Sequence, residues 1–219
     1  MTDGNRSRLI MKWHQHILPV FLFSCLFLNG CEQEATEAYI TDIDGNKYKT
    51  VRIGSMTWMA ENLKVTRDRD GHPLETYCYM NKAGKCDQFG CLYPWEVALK
   101  APPEGWRLPT SEDWERLEIE LGMDPEEAGS FGWRGTDQGA QLKEGGSSGF
   151  EAWLSGYKDG TVLWDGRYFD IGYFGAFWTA TEYDLFTAVT RFVYITYDEI
   201  YQGSYDKTAA LSVRCVKVE

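Results

Sequence analysis

The side chains best equipped for recognition cluster late in the chain. Between Thr190 and Lys207 the order is T-R-F-V-Y-I-T-Y-D-E-I-Y-Q-G-S-Y-D-K, which places Tyr194, Tyr197, Tyr201 and Tyr205 among serine, glycine and acidic neighbours. A phenol ring gives wide apolar contact at small entropic cost, and its hydroxyl reaches polar partners. Such rings suit stacking on a sugar or gripping a protein surface. Strand alternation would set Val193 and Ile195 on one face and Tyr194 on the other, with Tyr201 and Tyr205 in or beside a turn. Trp164, Tyr168 and Tyr173 form a second rank of ligand-binding candidates. Each has a structural alternative, because tyrosine is favoured in strands and packs beneath loops.

Catalytic devices are hard to assemble from this composition. There is no H-E-x-x-H, no G-x-S-x-G and no phosphate-cradling glycine loop, and after residue 31 His72 is the one histidine. A Ser/His/Asp or Cys/His device would have to be built on that residue, in a polar loop. Carboxylates are plentiful, so an acid and base pair of Asp or Glu stays open. Six cysteines occur, at positions 25, 31, 78, 86, 91 and 215. Cys78, Cys86, Cys91 and Cys215 form an even set, read as two disulfides with three possible connectivities. Zinc is the rival reading, weakened by the absence of any C-x-x-C pair. No metal and no cofactor is expected.

The start of the chain reads as an address. Arg6, Arg8 and Lys12 precede an apolar run from Ile17 to Leu28, short for a permanent span but suited to a signal-peptide core. It ends in Leu28-Asn29-Gly30-Cys31, similar to the lipobox of bacterial lipoproteins. That similarity implies a signal peptide over 1–30, a lipid on Cys31 and a membrane partner through the anchor. Residues 31–38 then hold the lipidated cysteine and an acidic tether, and the domain proper runs over 39–219. The acids after Cys31 resemble a surface-export signal, which implies an outer-membrane lipoprotein facing the cell surface. Of 22 Lys+Arg and 33 Asp+Glu, residues 1 to 31 take three bases and one acid, leaving 19 against 32, a net of −13. So acidic a domain is a poor binder of nucleic acid.

The elements that must position these residues follow from periodicity and caps. Thr110 as N-cap with Asp113 three residues on predicts a helix from about Ser111, with Trp114, Leu117 and Leu121 on its buried face and Gly122 as its stop. Glu115, Arg116, Glu118 and Glu120 fall on other faces. Pro94 opens a second short helix with Trp95, Ala98 and Leu99 on one side. Ala38–Thr41 and Lys47–Ile53 flank an Asp-Gly-Asn turn, a tighter explanation of D-x-D-G than a calcium loop. Asn62 and Glu61 are placed to hydrogen-bond neighbouring loops. Residues 64 to 92 are polar and turn-rich, and 122 to 149 read as a long loop pinned by Phe131, Trp133 and Leu142. After Phe150 the period changes to two: a hairpin turning at Lys158-Asp159-Gly160, then strands over 175–181, 188–197 and 211–218. The class is α+β, two helices packed on an antiparallel sheet with long loops, the last strand returning beside the first.

Several blocks resemble the Fibrobacter succinogenes major paralogous domain: Y-K-T-V-R-I-G-S-M-T-W-M-A-E-N-L from 48, G-C-L-Y-P-W-E-V-A from 90, P-E-G-W-R-L-P-T-S-E-D-W-E-R-L from 103, S-G-Y-K-D-G from 155, I-G-Y-F-G-A-F-W-T-A-T-E from 171 and S-V-R-C-V-K from 212. The resemblance implies a C-type-lectin-like fold, with the ligand site at the end of the domain carrying the late tyrosines. Many members have a cysteine where this chain has Pro102 and none where it has Cys91, which implies the pairs Cys78–Cys86 and Cys91–Cys215. Asp165, Asp170, Asp184, Asp198 and Glu199 offer oxygen ligands, but the E-P-N, Q-P-D and W-N-D strings of sugar-binding lectins are absent, so these acids read as solvated loops. The implied function is a non-catalytic binding or adhesion module for an unknown glycan or protein ligand. The alternatives are a structural subunit of a surface assembly and an oxidase like the formylglycine-generating enzymes, whose paired copper cysteines reduce here to Cys215.

Overall fold

The computed structural model describes residues 38–160 and 166–218. The expected signal peptide over 1–30, Cys31 and Trp164 lie outside the described residues. Thirteen strands are seen among the described residues: β1 Tyr39–Thr41, β2 Lys47–Ile53, β3 Met56–Met59, β4 Leu92–Pro94, β5 Trp106–Arg107, β6 Gly132–Arg134, β7 Tyr157–Lys158, β8 Tyr168–Phe169, β9 Phe174–Glu182, β10 Thr187–Tyr194, β11 Ile200–Asp206, β12 Ala210–Ser212 and β13 Val216–Lys217. The helices are short: α1 Ala83–Phe89, α2 Trp95–Ala98, α3 Ser111–Glu120, α4 Pro125–Ala128 and α5 Gln138–Leu142. The class is α+β, built mainly of sheet. None of these helices is long and apolar enough to cross a membrane.

The strands form two sheets, one ordered β1-β2-β3-β13-β5, the other β6-β11-β10-β9-β12-β7-β8 with β4 against β12. This corrects the single antiparallel sheet expected from the sequence. The segment over 211–218 is two strands, β12 in the second sheet and β13 in the first, joined through buried Val213, Arg214 and Cys215. β12 also meets β9 in parallel, at Ser212 and Phe177. The final strand pairs with β3 and β5, so it shares a sheet with β1 without lying beside it. The expected long loop over 122–149 contains α4, β6 and α5, and the turn-rich region contains α1. In the late hairpin, Tyr157 pairs with Phe169 and Lys158 with Tyr168, so Lys158-Asp159-Gly160 is not a tight turn but the start of a longer connection.

α3 forms as its caps dictate. Asp113 N–H donates to Thr110 Oγ1 at 3.2 Å and Thr110 N–H donates to Asp113 Oδ2 at 2.7 Å, which closes the capping box. Trp114 and Leu117 are buried, and Trp114 sits edge-on to Trp58 and Phe150 at centroid distances of 5.4 Å and 5.4 Å. Each such pair adds about 0.5–1.5 kcal/mol beyond its buried area. Leu121 is only half-buried, while Glu118, expected on another face, is fully enclosed. The reason is charge pairing: Arg134 Nη1 donates to Glu118 Oε2 at 2.6 Å and Arg191 Nε to Oε1 at 2.8 Å, all three side chains being 0 % exposed.

The two sheets and their helices leave room for two aromatic-rich cores. One gathers Trp58, Trp114, Phe150, Phe177, Val193 and Ile200; the other holds Tyr48, Tyr93, Trp95, Trp178 and Leu211. Arg214 stitches the connection between sheets, donating to Asn62 Oδ1 at 2.6 Å, Met59 O at 3.1 Å and Glu151 O at 2.9 Å. Asn62 thus takes the loop-bridging role expected of it, and its Nδ2 also donates to Phe89 O at 2.9 Å. Glu61 accepts from the Lys49 amide at 3.1 Å. Burial pushes the Arg214 guanidinium down to about 9, against the pull of Glu61 and Glu151.

Candidate functional site

Strand register decides which late tyrosines meet. Phe192 lies opposite Tyr201, Thr190 opposite Gly203 and Ala188 opposite Tyr205 across β10 and β11, while Phe174 on β9 lies opposite Tyr194. Directly opposed residues share a face. Phe174, Phe192, Tyr194, Tyr201, Gly203 and Tyr205 therefore point the same way. On the reverse face of the same strands, Phe177, Arg191, Val193, Ile200 and Gln202 are buried. Tyr201 and Tyr205 belong to β11 itself, which corrects the turn placement expected for them. Ile195 lies beyond the end of β10 and is exposed, so it does not join Val193 on a buried face.

These rings enclose a cleft of about 580 Å³, lined also by Phe131, Tyr157, Asp170 and Ser204. Its walls are mutually stacked: Phe174 and Tyr194 are 5.1 Å apart, Tyr157 and Tyr205 5.2 Å, Phe192 and Tyr201 5.8 Å. Gly203 also lines it. A Cβ there would stand 2.9 Å from the Tyr201 ring and at ordinary contact distance, 3.5 Å, from the Phe192 ring, so glycine is what lets the Tyr201 ring sit as it does.

At one end β6 joins the sheet, with Trp133 opposite Tyr201. The indole packs against Tyr194 at 5.2 Å, Tyr197 at 4.4 Å and Tyr201 at 5.3 Å, yet remains 45 % exposed. Tyr197 is itself exposed, on a loop tied down by Lys143 Nζ, which donates to Tyr197 O at 2.6 Å.

The electrostatics are simple. Asp170 is the one charged residue among those lining the cleft. It is exposed, and its carboxylate makes no hydrogen bond or ion pair among the described residues. Its backbone adopts φ 63°, a left-handed conformation uncommon outside glycine, asparagine and aspartate. Burial raises the phenols of Tyr157 and Tyr194 above their ordinary range. Burial and hydrogen bonds to Tyr157 and Asp159 raise Tyr205 further. Deprotonation of these three phenols is therefore disfavoured, and Asp170 is the one acidic side chain lining the cleft.

Of the candidate residues, Tyr194, Tyr201 and Tyr205 line this cleft and Tyr197 extends it through Trp133. Tyr168 is elsewhere: its hydroxyl donates to Asn81 Oδ1 at 2.7 Å beside Tyr79. Tyr173 is 67 % exposed and lies outside the lining. Sequence reading missed Trp133 and Phe131, taken for pins of a loop, and Tyr157, Phe174, Phe192 and Gly203. The Tyr-x-Gly-x-Tyr spacing at 201, 203 and 205 was the available signal, a strand whose alternate positions carry ring, gap and ring. Nothing local announced Trp133, since its place depends on pairing with a strand nearly seventy residues away.

The cysteines are partly as expected. Cys78 and Cys86 form a disulfide. Cys91 and Cys215 are buried free thiols, which corrects the expected Cys91–Cys215 bond. The Cys91 sulfur faces α1, 2.7 Å from Cys86 Sγ, whereas Cys215 is packed in the junction between β12 and β13. A second group of possible ligands, Asp68, Asp70 and His72, is engaged in its own turn, where Asp68 Oδ1 accepts the amides of Asp70 and His72 at 3.0 and 2.8 Å.

A two-sheet α+β domain with an aromatic cleft open at one end is therefore the class that fold and site define. The sequence model of the Fibrobacter succinogenes major domain matches residues 51–217, and the chain belongs to that family. No curated protein and no solved structure gives a match.

Proposed function

We propose that the chain is a non-catalytic, surface-displayed binding module and that its ligand is a glycan held in the aromatic cleft. The observation that carries this reading is the convergence of Tyr194, Tyr201, Tyr205, Phe174 and Phe192 around a hollow opened by Gly203. Flat rings suit the apolar faces of sugar rings, while phenol hydroxyls and the unpaired Asp170 carboxylate suit their hydroxyl groups. The lipobox-like sequence at Cys31 supports a lipid anchor at the outer membrane, and the order of elements supports a C-type-lectin-like fold: early hairpin, middle helices, late sheet, and a last strand rejoining the first sheet.

The test is a glycan array probed with the domain, followed by titration calorimetry on the hits. Trp133→Ala should weaken the best hit at least tenfold, about 1.4 kcal/mol, with a melting temperature within a few degrees of wild type. Unaltered affinity would remove this cleft as the site. A second reading, a subunit of a surface assembly, is favoured by the turn between β9 and β10, where Leu185 is 78 % and Phe186 69 % exposed. Under that reading, sedimentation shows concentration-dependent oligomers that Leu185→Ser dissolves, and the array stays silent.

A further inference from the structure

Away from the aromatic cleft, three sulfurs meet. Those of Cys78, Cys86 and Cys91 all lie within 4.8 Å of one another. Cys78 and Cys86 are bonded, and the Cys91 sulfur is 2.7 Å from Cys86 Sγ, nearer to it than to its own acceptor, Lys64 O at 3.6 Å. A thiol held against one sulfur of a disulfide is the arrangement from which exchange proceeds. All three cysteines also line a surface cleft of about 320 Å³, together with Asp44, Lys64 and Asp87. Burial is graded across the group: Cys91 is 2 % and Cys86 7 % exposed, and Cys78 is the least covered.

The backbone of this loop is unusual. Within the loop that the Cys78–Cys86 bond closes, Met80 and Asn81 have φ of 53° and 56°. A left-handed backbone is uncommon for methionine, whose side chain offers no local hydrogen bond to offset it.

We propose that Cys78, Cys86 and Cys91 form a thiol–disulfide exchange site that presents Cys78 to small disulfides in the surrounding medium. In the first step the Cys91 thiolate attacks Cys86 Sγ; the Cys86–Cys91 bond forms, the Cys78–Cys86 bond breaks, and Cys78 leaves with the electron pair. The proton lost by Cys91 is returned to solvent and regained by Cys78, so one disulfide and one thiol stand on each side. In the second step Cys78 thiolate attacks an external disulfide, forming a mixed disulfide and expelling the other half as a thiolate. No net oxidation occurs in either step.

The groups facing Cys91 set the pace. Burial pushes its thiol up to about 12; the Tyr93 hydroxyl and Lys64 favour the thiolate, while Asp87 and Asp44 oppose it. Thiolate is scarce at neutral pH and rises about tenfold per unit below that value.

The purified full chain is incubated with oxidised glutathione at pH 7 and pH 9, blocked with iodoacetamide and mapped by non-reducing peptide mass spectrometry. The expected product carries glutathione on Cys78 and a Cys86–Cys91 link, with an initial rate at least tenfold faster at pH 9. Cys91→Ser should lose the Cys78 adduct, and Cys78→Ser should contain the Cys86–Cys91 bond from the outset. The proposal is overturned by an adduct undiminished in Cys91→Ser, by an adduct on Cys91 itself, or by free thiols at both Cys86 and Cys91 in the Cys78→Ser protein.

Discussion

The two faces of the β9–β10–β11 sheet are made by alternate residues of the same strands, and they are treated in opposite ways. On one face the charges are enclosed and paired: Arg134 and Arg191 share Glu118, and Phe177, Val193 and Ile200 seal the surroundings. On the other, large rings stand around a hollow, Trp133 is half-open and Asp170 is unpaired. A sheet that is over-determined on one side can carry an unfilled, apolar surface on the other, because its register is fixed from behind. Even β6 is divided this way, with Arg134 turned to the sealed face and its neighbour Trp133 to the open one.

The largest effect should come from the sealed face. Glu118→Ala leaves two enclosed guanidinium groups without their carboxylate and should cost about 3–5 kcal/mol in urea unfolding. A loss under 1 kcal/mol would mean that the back of the sheet is not what fixes the front.

On the open face, Gly203→Ala presses a methyl against the Tyr201 ring. Overpacking of this kind costs about 1–3 kcal/mol, set against the gain of roughly 0.5–1 kcal/mol from replacing glycine in a strand. A net loss near 1 kcal/mol is expected, with glycan affinity falling further than stability. Asp170→Asn sharpens the contrast, since asparagine tolerates the same backbone conformation. Affinity should fall severalfold while the unfolding midpoint stays within error; an unfolding loss would place Asp170 with the structural charges instead.

The last effect concerns the cap of α3, which holds Glu118 in place, and it is confined to neutral pH. Burial opposes ionisation of Asp113, but Arg107 and the Thr110 amide outweigh it and hold the carboxyl below its usual range. The folded state thus prefers the charged form. Its stabilisation is complete above pH about 4 and disappears as pH falls through the lower folded value. Asp113→Asn should cost about 1 kcal/mol at neutral pH, and its stability should converge on wild type in acid.

Much of the local structure was legible in the chain. The Thr110 capping box, the Asp-Gly-Asn hairpin, the short helix after Pro94 and the late run of strands each depend on interactions within a few residues, so composition and spacing sufficed. Charge at Glu118 misled, because a helix pattern read alone assigns glutamate to solvent; two arginines from distant strands reverse that assignment. Cys91 was paired with the wrong partner for a similar reason, its neighbour being set by α1, which a polar stretch did not advertise.

By itself the sequence determined the α+β class, the start of α3 and the tyrosine-rich character of the last strands, while the Cys78–Cys86 bond was implied by the family resemblance. Only the tertiary structure decided that the last segment is divided between two sheets, that Trp133 joins the tyrosines and that Gly203 leaves them a hollow. Local caps and turns are written in neighbouring residues, whereas a cleft is made by register between strands far apart in the chain, where a shift of one residue would turn every ring to the other face.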